Sequence, residues 1–279
     1  MRTIRMPQLQ NVGPNQRVSI RLPLGQTYQK LYLVLGTNIL KSLISNIRMR
    51  INNKEFVSWS SAAHMELLLA YKGNNTSTAT MLVIDFTERL AREEAGMQFG
   101  AIAATQEAGV QELTLEFDLG TYTAVPASTI EAWADVDMPS GNPVIARIQS
   151  QQKVFAAAAE ENIYVPFGAN GYQVKRLVFV GASIDSARVR RDGSEIFESL
   201  PAAVNNARQI DFGRVPQAGS YIVDFMPDSL QSNAFNTALL RGADGKSAVP
   251  VQNLDIRLKV TAGTTVTTYI ESYSLNSQL

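Results

Sequence analysis

The side chains best suited to chemistry are few and poorly grouped. His64 is the single histidine and there is no cysteine, so His-His and thiolate zinc sites are excluded and one imidazole at most could serve as a base. It sits in SSAAHMELLLAYK beside Met65, a setting that reads as packing or surface rather than proton transfer. The carboxylate pairs Glu93-Glu94 and Glu160-Glu161 are adjacent. Neighbours point apart on a strand and about 100° apart on a helix, whereas glycosidic cleavage needs two carboxyls facing one bond. GADGKSAV has the tail of a phosphate-binding loop, but Leu240 stands where the first glycine is required, and a polar turn is the better reading. No catalytic residue, cofactor-binding residue or metal ligand is assigned.

The candidate binding residues are equally sparse. Trp59 and Trp133 could stack on a sugar ring; Trp133 belongs to IEAW, which returns later as IESY and reads as core, and Trp59 is less constrained. Arg188 to Arg191 in RVRRDG could meet phosphate, but the cluster reads as the outward face of a half-exposed strand. Lysine plus arginine equals aspartate plus glutamate at 25 each, so no global field favours nucleic acid and direct nucleic-acid binding is not expected. The overlapping sequons at Asn74 and Asn75 lie in a polar GNNTST stretch that reads as a loop. Arg2 and Arg5, on an otherwise uncharged N-terminal segment, are a possible membrane-side tail; each is worth on the order of 1 kcal/mol near an anionic lipid face.

The elements that must position these residues are short. Runs such as RVSIRLPLG, KLYLVLG, ELTLEFDLG, RLVFVG and LDIRLKV alternate apolar and polar residues between turn signals, the pattern of strands with one buried face. Helical patterning is confined to SSAAHMELLLAYK, with Ser60 or Ser61 as cap, and to the alanine-rich ARIQSQQKVFAAAAEEN, which is expected to join the two halves as a helix. No apolar run reaches the length of a membrane-spanning helix, and no apolar leader opens the chain, so the protein is expected to be made soluble.

The halves repeat one another. LVIDF and YIVDF place Asp85 and Asp224 139 residues apart; Pro23 and Pro166, each two residues before a glycine, are 143 apart. Arg48 and Arg50 meet Arg188 and Arg190 at 140, Leu113 meets Leu254 at 141, and Ile130-Glu131 meets Ile270-Glu271 at 140. Five collinear pairs at nearly one offset indicate a duplicated unit. Asn52-Asn53 and Asp192-Gly193 fall at matching places between strands, where a two-residue hairpin wants positive φ twice. Each unit, about 140 residues with some eight short strands, fits a jelly roll, and no blade-length period suggests a propeller. The expected fold is therefore all-β: two tandem eight-stranded jelly rolls with short helices in the connections. MPSGNP, residues 138–143, is the expected linker, dividing the chain into 1–142 and 143–279.

VSIRLPLGQTY, LTLEFDL, YIVDFM and LDIRLKV, in that order, resemble the major capsid proteins of the corticoviruses, tailless icosahedral bacteriophages whose shell surrounds an internal membrane. The resemblance runs from about residue 11 to residue 275, and LPLGQTY is its most specific piece. It implies a double jelly roll standing in a viral shell, a pseudo-hexagonal homotrimer as building block, and a virion localisation after synthesis in the host cytoplasm. Further implied partners are vertex and membrane proteins, with peripheral contact to the internal membrane. Calcium is associated with such shells, but no ligand set maps onto this chain. The rival readings are a carbohydrate-binding or glycan-processing pair of β-sandwiches, and a minor vertex protein of a virus.

Overall fold

The computed structural model describes the chain except at positions 74–76, 89–90, 92–95, 97, 242–246 and 279. Two compact units divide it: Met1–Gln149 with Ser274–Leu279, and Ser150–Tyr273.

The first unit carries β1 (Arg2–Arg5), β2 (Arg17–Arg21), β3 (Gln26–Leu35), β4 (Ile44–Ile51), β5 (Lys54–Ser61), α1 (Ala62–Tyr71), β6 (Met81–Asp85), β7 (Ile102–Ala104), β8 (Leu113–Leu119) and β9 (Ile130–Asp137). One sheet runs β1-β9-β3-β6, with β7 also on β3, and a second places β5, β4, β8 and β2 in that order. β1 to β4 thus alternate between the two sheets, while β4 and β5 form a hairpin within one, a crossing pattern that fits a jelly roll. In β8, LTLEFDL buries Leu113, Leu115, Phe117 and Leu119 and leaves the intervening residues half-exposed, the period-2 pattern read from the sequence. Each such leucine or phenylalanine contributes roughly 1.5–3 kcal/mol by leaving water.

The second unit receives the latter part of β10 (Val144–Phe155), then β11 (Ala159–Asn162), β12 (Gln173–Val180), β13 (Ile184–Arg191), β14 (Ser194–Phe197), α2 (Ala202–Asp211), β15 (Ser220–Asp224), β16 (Phe235–Asn236), β17 (Leu239–Arg241), β18 (Ala248–Pro250), β19 (Leu254–Val260) and β20 (Thr264–Leu275). Its sheets order β15-β12-β20 and β11-β19-β13-β14, with β17 and β18 forming a separate ribbon. Val174, Leu177, Phe179, Val189, Tyr221 and Leu258 are among the residues of one closed core. The expected pair of jelly rolls is the observed fold.

The duplication extends to hydrogen bonds. Asn52 and Asn53 have φ of 51° and 67°, and Asp192 and Gly193 have 48° and 82°, the paired positive values of a tight hairpin turn. Asn52 Oδ1 accepts from the backbone of Gln111 (2.8 Å) and Glu112 (3.1 Å). Asp192 Oδ1 accepts from Gln252 (2.9 Å) and Asn253 (2.6 Å) in the same way. Pro23 and Pro166 both lie outside the strands, and the glycines behind them, Gly25 and Gly168, take φ of 88° and 63°.

Two expectations need correction. The alanine-rich segment is not a helix: its first part is β10, residues 156–158 make a bend, and Ala159 opens β11. Four alanines are too short a run to nucleate a helix, whereas Ile145, Ala146 and Ile148 are buried and Ile148 pairs with Val57 of β5. The other fully described α-helix is α2, behind Pro201, 140 residues after α1. The compact units divide at 149/150, within β10, which begins in the first unit. Finally, Arg2–Arg5 is not a free tail but a strand, paired antiparallel with β9 from Arg2↔Val136 to Arg5↔Trp133.

Candidate functional site

The two aspartates of the repeated pentapeptide end equivalent strands, and each is buried against a cation on the strand beside it. In the first unit Asp85 closes β6 and pairs in register with Lys30 of β3; Lys30 Nζ stands 2.6 Å from Asp85 Oδ2, both side chains sealed from solvent. The other carboxylate oxygen accepts from the Thr87 amide (2.9 Å) and hydroxyl (2.6 Å), fixing the chain as it leaves the strand. In the second unit Asp224 closes β15 opposite Arg176 of β12. Arg176 Nε donates to Asp224 Oδ2 at 3.0 Å, and Asp224 Oδ1 accepts from the Met226 amide at 2.9 Å.

On the other side of the cation the last strand of each unit supplies a second acid. Lys30 is in register with Asp135 of β9, whose carboxylate accepts from the hydroxyls of Thr3 and Tyr32, both at 2.6 Å. Arg176 is in register with Glu271 of β20 and donates to it at 2.8 Å, while Lys175 donates to its other oxygen at 2.9 Å. A further buried cation follows each helix: Lys72 after α1, 3.3 Å from Glu88, and Arg214 after α2, 3.4 Å from Asp224. Arg214 Nη2 also donates to the Met226 carbonyl (3.0 Å) and the Ser229 hydroxyl (2.8 Å). In the second unit a central cation thus ties two acids across three strands; in the first, Lys30 pairs with Asp85 and lies in register with Asp135.

The first unit's charges have little open space beside them. A small cavity of about 20 Å³ reaches Lys72 and Asp85 between α1 and the sheet, among Trp59, Met65, Leu68 and Ile84; that is room for about one water and no substrate. Breaking one partner of such a pair leaves an uncompensated buried charge, at roughly 3–5 kcal/mol. Sequence reasoning singled out the aspartates but missed Lys30 and Arg176. The signal was present: KLYLV and RLVFV each set a cation immediately before an apolar run within a buried strand, 146 residues apart.

The surface residues singled out earlier are dispersed. Trp59 is 2% exposed, so it cannot form a sugar platform. Trp133 is half-buried rather than core, with the Arg5 guanidinium 6.0 Å from its ring centre, and Arg5 is also bound to Glu131 at 2.9 Å. Arg2 is exposed. His64 is half-buried on α1, its Nδ1 3.0 Å from the Ser60 hydroxyl, and burial lowers its pKa. Ser61 caps the helix by accepting from the His64 amide. Arg188 faces Glu160 and Asp255 and Arg190 faces Glu195, so RVRRDG is a laced strand rather than a basic patch. Glu161 pairs with Lys153, away from Glu160. Glu93-Glu94, the sequon asparagines and most of GADGKSAV lie outside the described residues. Among the described residues no group of three or more His, Asp or Glu could hold a metal, and no helix is long and apolar enough to cross a membrane.

Comparison with known proteins matches the chain twice. Residues 3–137 fit the model of the viral coat protein P2 N-terminal domain, and residues 145–276 that of the P2 C-terminal domain. The major capsid protein P2 of Pseudoalteromonas phage PM2 is 23% identical over 256 residues, covering 85% of this chain and 86% of that protein. The crystal structure of P2 from bacteriophage PM2 superposes with a TM-score of 0.79 at 15% identity, over 98% of both chains. The STIV major capsid protein superposes with a TM-score of 0.65 at 15% identity, over 98% of this chain and 96% of that one. At these identities the superpositions speak for the fold.

Proposed function

The chain belongs to the viral coat protein P2 family in both of its halves, and from that premise we propose that it is a major capsid protein whose work is to associate with copies of itself. The observation that carries this reading is the tandem match, one coat domain per half, on a chain whose halves repeat the same buried ion pair and the same hairpin turn. Three copies of a two-domain chain present six similar lobes, so a threefold ring can tile a near-hexagonal lattice. We therefore assign a pseudo-hexagonal homotrimer as the building block of an icosahedral shell. Contacts between trimers in such a shell are modest and partly polar, which lets trimers meet reversibly before locking.

The same reading places the protein in the virion, with vertex and membrane proteins as partners and an internal membrane beneath the shell. Arg2 and Arg5 of β1 are both exposed and would be the cations for such a membrane contact. Gentle dissociation of purified shells tests the building block: trimers are expected as the persistent species, and a pool consisting only of monomers contradicts it. The glycan-binding alternative loses its first candidate in buried Trp59; a glycan array is expected to show no binding.

A further inference from the structure

The helices α1 and α2 occupy equivalent places in the two units but are turned differently. α1 lays Met65, Leu68 and Leu69 against its sheet. α2 instead faces its sheet with Asn205 and Gln209, both buried, whose amides donate to the single carbonyl of Ile222 at 2.8 Å and 2.6 Å. Its apolar side faces solvent: Val204 is 52% exposed and Ile210 59%, and the segment just beyond adds Phe212 at 45% and Val215 at 49%. A helix in water ordinarily does the reverse, and buried amides are tolerated only because they are satisfied.

We infer that this outer face of α2 is a docking surface for a second copy of the same chain. The inference rests on the coat-protein reading above, which requires every copy to be covered by others. Charge favours a like partner: the exposed face carries one cation, Arg208, and one anion, Asp211, on a chain of net charge zero. A neutral apolar patch with a mixed rim offers no attraction to nucleic acid or to an anionic lipid surface, and it matches the make-up of a protein interface, with an apolar centre and a polar edge. In a closed ring the contact is heterologous, so the α2 face meets a different surface on its neighbour.

Sedimentation velocity across a concentration series tests this with the full chain and the double variant Val204→Asp/Ile210→Asp, whose positions are exposed and leave the core intact. The concentration for half-association is expected to rise at least about thirtyfold, the loss of a strong interface residue, with an unchanged circular dichroism spectrum. A variant that associates like the unmodified chain overturns the assignment while the coat reading stands; an unmodified chain that never associates overturns both. Hydrogen exchange on the unmodified chain is a second readout independent of the variant's folding. Protection of residues 202–215 is expected to increase on association, and equal exchange in both states contradicts the proposal. Flotation with vesicles of phosphatidylglycerol that the double variant loses, at unchanged association, reassigns the face to lipid and overturns it as well.

Discussion

Asp85 and Asp224 are worth more to the protein than their neighbours in the repeated pentapeptide because each neutralises a cation that has no access to water. Asp224→Asn is expected to destabilise the chain by roughly 3–5 kcal/mol in denaturant unfolding, since Arg176 and Arg214 would both lose a buried counter-charge. The double replacement Lys30→Met/Asp85→Leu is expected to cost less than either single change, because an apolar pair of similar bulk needs no compensation. Equal additive losses would argue against a coupled pair. Two tyrosines give a second signature. Burial pushes Tyr28 and Tyr221 up to about 12, while an unfolded tyrosine ionises near 10. Their folded-state pKa values are raised, so this contribution is whole below pH about 10 and is lost as pH rises toward about 12. Stability is expected to fall over that window, and Tyr28→Phe is expected to make the fall shallower; an unchanged alkaline slope would contradict it. The aspartates were legible in the sequence because the letters repeat. Their partners were not, because Lys30 and Arg176 lie some fifty residues from them and register alone brings them together.

Elements with strong local signals were readable and elements decided by packing were not. The hairpin turns show the first case, since Asn52-Asn53 and Asp192-Gly193 state their positive φ in their residue types. Asn52→Ala is expected to cost about 2 kcal/mol in thermal or denaturant unfolding, from strain at positive φ and loss of the two bonds to Gln111 and Glu112. Ser61→Ala, which removes the cap of α1, is expected to cost about 1 kcal/mol. The alanine-rich segment shows the second case. Its propensity favours helix, but partners in sheets hold β10 and β11, and tertiary pairing overrides propensity. α2 was missed for a related reason: its buried positions are Asn205 and Gln209, so the usual apolar stripe points outward and gives no core-facing signal.

At the scale of the molecule, duplication is the organising fact. It was visible from five collinear residue pairs, and the family match in both halves agrees with it. The contacts between copies were not legible, because association surfaces are assembled from residues far apart in sequence and carry no period. The central claim is that the chain is a coat protein that closes into threefold rings. It is tested most directly by the light-scattering mass of the purified protein over a wide concentration range. The account predicts a species of about three times 30.5 kDa that persists on dilution and tightens under conditions that assemble shells. A particle that stays at 30.5 kDa at every concentration would contradict it.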